Sequence, residues 1–283
     1  MKKWKKTEKE CYEYIKSAYS GIVNVIPYGE SDSTHEDIQI EKKNGNSFFI
    51  EVKCDKSQCC QFVLFPDEEN EKFDESERSR GTQSVNKSKI ISYMNDNFEK
   101  YKKVGKKGID IPVEKEILYG MVRDFYKAKK VEFFMTKGVD YIVIPVEKFS
   151  EYFEISATYR KKGSGSTEVT KMNYAELSEE LKNKQIDGTL DFQIVEKKLR
   201  CFLHSSNSLL NQKRIEGMKY TYLIENNEYS KEALILTSYS YIYEVRRLSN
   251  LYNPNVICQL KLKKKDQDKN DINCFENAIK REI

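Results

Sequence analysis

The chain has 283 residues and is one-third charged, yet its formal net charge is only +4. That length supports one large domain or two small ones with a sizeable core. Polyanion binding, if any, must come from local clusters and not from the total charge. Seven cysteines, an odd number with no C-x-x-C pair, predict a reducing compartment in a chain too large to need disulfide staples. The basic start Met1-Lys2-Lys3-Trp4-Lys5-Lys6 runs into Thr7-Glu8-Lys9-Glu10 where a signal peptide needs an apolar stretch. No run approaches the roughly 18 apolar residues of a membrane span. A cytoplasmic protein without a membrane partner is expected.

In chain order, Lys6 to Tyr19 reads as a helix, with Tyr12, Ile15 and Tyr19 at helical spacing. Gly21 to Pro27 reads as a short strand. Asp37 to Glu41 and Phe48 to Lys53 read as a hairpin around Asn44-Gly45. Asn86 to Val104 forms a second helix with an apolar stripe of Ile90, Met94, Phe98 and Tyr101. Glu114 to Lys130 forms a third, leading into a strand at Val131 to Met135. Tyr141 to Ile144 is a continuous apolar run, as in a strand covered on both faces, and Pro145 ends it. Arg160 to Ser166 reads as a basic, flexible loop and Tyr174 to Lys184 as a helix. Ala233 to Val245 and Val256 to Leu262 read as strands, followed by a polar run from Lys263 to Asp271. Alternating helices and strands predict an α/β or α+β fold around a mixed sheet.

The chemistry concentrates at the hairpin. Glu51 and Lys53 lie two residues apart on an apolar strand and share a face. Parity tests the turn. A two-residue Asn44-Gly45 turn pairs Ile38 with Glu51, mixing apolar and charged groups on one face. A three-residue turn, Asn44-Gly45-Asn46, pairs Ile38 with Val52 and Ile40 with Ile50, and sets Asp37 opposite Lys53 with Glu51 diagonal. The three-residue turn is the expected one. Carboxylates of Asp37 and Glu51, with the carbonyl of Val52, make a hard oxygen set suited to Mg²⁺. Lys53 is placed to orient a water or to stabilise developing negative charge, its ammonium kept protonated by the neighbouring carboxylates.

Asp37 followed by Glu51-Val52-Lys53, with the surrounding G-E-S-D-S-T-H-E-D-I and Q-F-V-L-F-P-D, resembles the PD-(D/E)xK nuclease superfamily, and most of all its type II restriction endonucleases. The resemblance covers about Gly21 to Phe65. It implies an α/β core with a central mixed β-sheet flanked by helices, Mg²⁺-dependent cleavage of double-stranded DNA and a homodimer on palindromic sites. It implies Asp37 and Glu51 as metal ligands and Lys53 as the motif's lysine. Glu36 stands where the motif has proline, and Asp32 is the alternative first acid. The superfamily often adds an acid from the first helix, which points to Glu13. Glutamines after the lysine strand, Gln58 and Gln61, faintly resemble a glutamine motif of some relatives.

Only two histidines are present, His35 and His204, too few for histidine–metal nuclease chemistries. Cys54, Cys59 and Cys60 lack the spacing of a tetrahedral zinc site. Arg160, Lys161 and Lys162, and separately Arg246 and Arg247, are the basic clusters best suited to contact DNA. Residues 1–150 are expected to form the catalytic core and 151–283 a part that helps bind DNA, within the same compact domain or beside it. The competing readings are a repair or recombination nuclease acting on branched or damaged DNA, and a non-catalytic DNA-binding protein on a degenerate nuclease fold.

Overall fold

The computed structural model describes residues 3–27, 36–77, 83–163, 165–195, 198–227, 241–249 and 252–280. In chain order, the elements begin with α1 (Lys3–Tyr19), β1 (Asn24–Pro27), β2 (Ile38–Glu41), β3 (Ser47–Val52), β4 (Gln58–Asp67), β5 (Lys72–Glu75), α2 (Val85–Asp96), α3 (Phe98–Tyr101), β6 (Ile109–Asp110), α4 (Lys115–Ala128), β7 (Val131–Lys137), β8 (Tyr141–Pro145), α5 (Phe149–Tyr152) and β9 (Phe153–Gly163). Then come β10 (Ser166–Glu168), α6 (Tyr174–Asn183), β11 (Thr189–Val195), β12 (Lys198–Ser205), β13 (Lys213–Glu216), β14 (Thr221–Asn226), β15 (Tyr241–Leu248), β16 (Tyr252–Leu262) and α7 (Lys269–Lys280).

The chain forms two compact units, residues 1–161 with 254–283, and residues 162–253. The sequence pattern suggested a division near residue 150 instead. The difference arises because β16 returns to pair with β4, and α7 packs its Phe275 and Ile279 into the same core as α1 and the first sheet.

The first unit carries a mixed sheet of order β1-β2-β3-β7-β8. Only β3 and β7 run parallel; the other pairs are antiparallel. One face of this sheet, with Ile38, Ile40, Phe48, Ile50 and Val52, packs on Cys11 and Ile15 of α1 and on α7. The other face, with Val131, Phe134 and Ile144, packs on Leu118, Val122 and Tyr126 of α4. Both faces of β7 and β8 are therefore buried, which accounts for their unbroken apolar runs. A second sheet, β5-β4-β16-β9-β6, belongs to the same unit.

Three expectations are corrected. Residues 160–163 are not a loop: β9 continues through Gly163, with Lys161 N–H bonded to the Gly105 carbonyl at 3.0 Å, and Ser164 lies outside the described residues. The second helix breaks at Asn97, whose side chain donates to the Tyr93 carbonyl at 2.8 Å, although Ile90, Met94, Phe98 and Tyr101 are all buried. The helix α7 begins inside the polar run and continues past it, where the sequence pattern suggested no element. The expected strand from Ala233 to Val245 lies partly outside the described residues, and β15 begins at Tyr241. The second unit holds the antiparallel sheet β11-β12-β15-β14-β13, with β10 on β15 and its own core around Leu177, Leu203, Tyr222 and Val245. Among the described residues no helix is long and apolar enough to cross a membrane.

Candidate active site

The hairpin turn decides how the acids meet. Lys42 N–H bonds the Asn46 carbonyl at 2.8 Å, closing a three-residue loop of Lys43, Asn44 and Gly45. Such loops end in a left-handed residue, and Gly45 takes that place with φ +83°. The loop has the expected length but begins one residue earlier, because glycine must stand last and not in the middle. Ile38 consequently pairs with Ile50 and Ile40 with Phe48, not with Val52 and Ile50. A shift of one pair keeps the parity, so the apolar face is unchanged. Carried one residue further, this register sets Asp37 opposite Glu51 and not opposite Lys53. Directly opposite residues have Cβ atoms about 5 Å apart, closer than the diagonal arrangement expected from sequence.

Asp37 precedes β2 and turns its carboxylate onto β3, where Oδ2 accepts a 2.7 Å hydrogen bond from the Val52 N–H. Glu51 and Lys53 have side chains only 11% exposed each, with Lys53 Nζ 2.5 Å from Glu51 Oε1. The Lys53 ammonium also lies 5.4 Å from the centre of the Tyr126 ring. Burial and the repulsion of Glu51 drive the Asp37 carboxyl well above its ordinary range. Burial works to lower the Lys53 pKa, but the carboxylates of Glu51 and Asp37 outweigh it and hold the amine above its usual value. Glu36, in place of the motif's proline, is buried and pairs with Lys129 at 3.4 Å.

The acid that α1 brings here is Glu8, not Glu13. Glu8 lies one turn before the buried Cys11, Ile15 and Tyr19, on the same stripe. Burial raises its pKa to about 7, with Lys53 pulling down and Glu51 pushing up. Glu13 is exposed, beside a different hollow with Lys6, Tyr14 and Tyr141. The buried stripe of α1 was the signal that distinguishes the two. Glu8 and Lys53 line a cleft of ≈ 460 Å³ with Trp4, Cys54, Ser57 and Gln58. It is thus Gln58 that reaches the cleft, whereas Gln61 sits on the exposed face of β4. Asp32 and His35 lie outside the described residues. The other histidine, His204, is buried in the second unit, 3.7 Å from Asp191.

The basic residues are on strands. Arg160, Lys161 and Lys162 end β9, and Arg246 and Arg247 lie on β15 opposite Glu168 and Thr167. Arg247 donates to Thr167 Oγ1 at 3.2 Å and stacks on Tyr220 at 4.4 Å.

A mixed sheet between helices, with two acids and a lysine gathered at the end of its β2–β3 hairpin, defines a restriction-endonuclease-like fold. Among solved structures the chain is similar to HhaI endonuclease in complex with DNA, at 33% identity and a TM-score of 0.81, over 99% of this chain and 100% of that one. The chain belongs to the family of HhaI endonuclease. No protein-family model and no curated protein sequence matches it.

Proposed function

We propose that this chain is a Mg²⁺-dependent type II restriction endonuclease of the PD-(D/E)xK superfamily, hydrolysing phosphodiester bonds at a specific sequence in double-stranded DNA as a homodimer. The observation that carries the reading is the placement of Asp37 and Glu51 across one hairpin, with Lys53 beside them. The 33% identity to HhaI endonuclease, a protein whose structure contains DNA, extends over the whole chain and supports DNA as substrate.

The donor set fits magnesium. Among the described residues no group of three or more His, Cys, Asp or Glu side chains is placed to hold a metal ion. Mg²⁺ binds through one or two carboxylates together with substrate oxygens and water, and Asp37, Glu51 and the Val52 carbonyl match that demand. The buried Asp37 carboxyl, raised by burial and by Glu51, is a site short of positive charge. When bound, the ion supplies charge neutralisation at the phosphate and acidifies a water.

The protein's own groups do the rest. Lys53 stays an ammonium at neutral pH, so it orients the attacking water and stabilises the phosphate's developing charge; it does not remove a proton. Glu8, with a pKa of about 7, is a carboxylate able to take up a proton beside that amine near neutral pH. The carboxylate of Asp37 is steered by the Val52 N–H.

The test is long duplex DNA incubated with the protein in Mg²⁺ or in EDTA. Discrete, reproducible fragments that need Mg²⁺ are expected. Cleavage confined to junctions or flaps would establish the repair reading, and binding without cleavage in any divalent metal would end the enzyme reading.

A further inference from the structure

Tyr126, in the last turn of α4, is 2% exposed. Its ring meets Phe134 and Phe125 edge-on at 4.9 and 5.0 Å. Its hydroxyl lies 2.5 Å from the Cys59 carbonyl and 3.2 Å from Glu51 Oε1. A hydroxyl has one proton to donate, so these acceptors are alternatives. Among other buried tyrosines of this unit, Tyr119, Tyr159 and Tyr101 donate to the main-chain carbonyls of Phe153, Leu64 and Asp110, and Tyr152 donates to the Asp271 carboxylate at 2.6 Å. What distinguishes Tyr126 is the carboxylate within its reach: Glu51 of the site, whose partner Lys53 also lies over the ring.

We propose that Tyr126 is a positioning residue for Glu51 and Lys53, its hydroxyl serving as an alternative donor to Glu51 when Lys53 turns from that carboxylate toward the substrate. The proposal rests on the nuclease reading above. In the structure Glu51 Oε1 is held by Lys53 at 2.5 Å. Once the amine engages phosphate or water, a buried carboxylate would lose its strongest donor and with it its orientation. A proton turned from the Cys59 carbonyl to Oε1 restores one bond, while the ring keeps the amine's cation near its face. Groups bonded behind a metal-ligating side chain typically govern affinity or activity by about 10–100-fold.

The experiment compares wild type with Tyr126→Phe, which keeps the ring contacts and removes one oxygen. Mn²⁺ binding is read by electron paramagnetic resonance of the free ion, without DNA, and cleavage is read separately in Mg²⁺. Mn²⁺ affinity and kcat are each expected to fall about tenfold or more, with KM for DNA unchanged and the unfolding temperature near wild type. Unchanged Mn²⁺ affinity and kcat would overturn the proposal. So would an equal loss in Phe125→Leu, which loosens the other edge-on packing of the Tyr126 ring. Should Tyr126→Phe not fold, 3-fluorotyrosine placed at position 126 keeps the hydroxyl and makes it a stronger donor. A shift in Mn²⁺ affinity is then expected, and its absence overturns the idea. Wild type that neither cuts nor binds Mn²⁺ would instead bring down the nuclease reading itself.

Discussion

Lys53 and Glu8 face one another with opposite tendencies at neutral pH, the amine held charged and the carboxyl close to half-protonated. Lys53→Ala is expected to lower kcat by about 10²–10³-fold, the usual cost of removing a group that stabilises transition-state charge, with DNA affinity little changed in a gel-shift titration. A wild-type rate would remove Lys53 from the chemistry. Glu8 and Asp37 both bind protons more tightly in the folded state than in the unfolded chain. Their own contribution to folding stability is therefore fully present below the ordinary carboxylate range and is lost as pH rises, for Glu8 through about 7. Glu8→Gln should flatten that fall by about 1–2 kcal/mol after solvent screening is allowed for. Urea unfolding from pH 4.5 to 8 measures it. Mg²⁺ should raise the melting temperature more at pH 8 than at pH 5, because the cation binds the deprotonated carboxylates. Equal shifts at the two pH values would count against Asp37 and Glu51 as its ligands.

At the scale of elements, the β2–β3 hairpin shows what alternation reveals and what it does not. Period-two patterning put Ile38, Ile40, Phe48, Ile50 and Val52 on one face, and they are buried together. It could not separate registers that differ by a pair, since both keep every side chain on its own face. The left-handed Gly45 resolved that choice. Gly45→Val should cost roughly 1–2 kcal/mol, since a branched side chain is strained at φ > 0, and it should lower cleavage by loosening the Asp37–Glu51 register. A variant with unchanged stability would mean that the turn does not set the register. The helix α7 has a legible stripe, Ile272, Phe275 and Ile279 at helical spacing, but it starts inside the polar run, which masks its beginning. Its importance comes from position: Phe275 meets Tyr19, Phe48 and Phe133 edge-on at 5.3, 6.3 and 5.1 Å. Phe275→Ala should destabilise the fold by about 3–5 kcal/mol, seen as a large drop in the denaturation midpoint.

For the whole molecule, a net charge of +4 makes DNA binding depend on where the cations lie. Replacing Arg160, Lys161 and Lys162 together by alanine should weaken binding uniformly across sequences. It should also reduce the salt slope by up to about three, one for each phosphate that is no longer neutralised. Affinity and slope unchanged by this triple replacement would exclude the segment from the DNA interface. Sedimentation in the presence of duplex DNA tests the proposed homodimer.

The sequence by itself singled out Asp37, Glu51 and Lys53, which the fold brings together, the apolar face of the hairpin and the helices α1, α2 and α4. Those features are written in short-range spacing: period two in strands, 3.6 in helices, and two residues between Glu51 and Lys53. Only the tertiary structure decided the partners that arrive from afar. Glu8 joins Lys53 because α1 turns its buried stripe to the sheet. Tyr126 reaches Glu51 from 75 positions along the chain, and β16 and α7 return to the first unit after the second has been traversed. Such meetings depend on how elements pack across the sheet, and local spacing carries no record of which distant residue will stand at the other side.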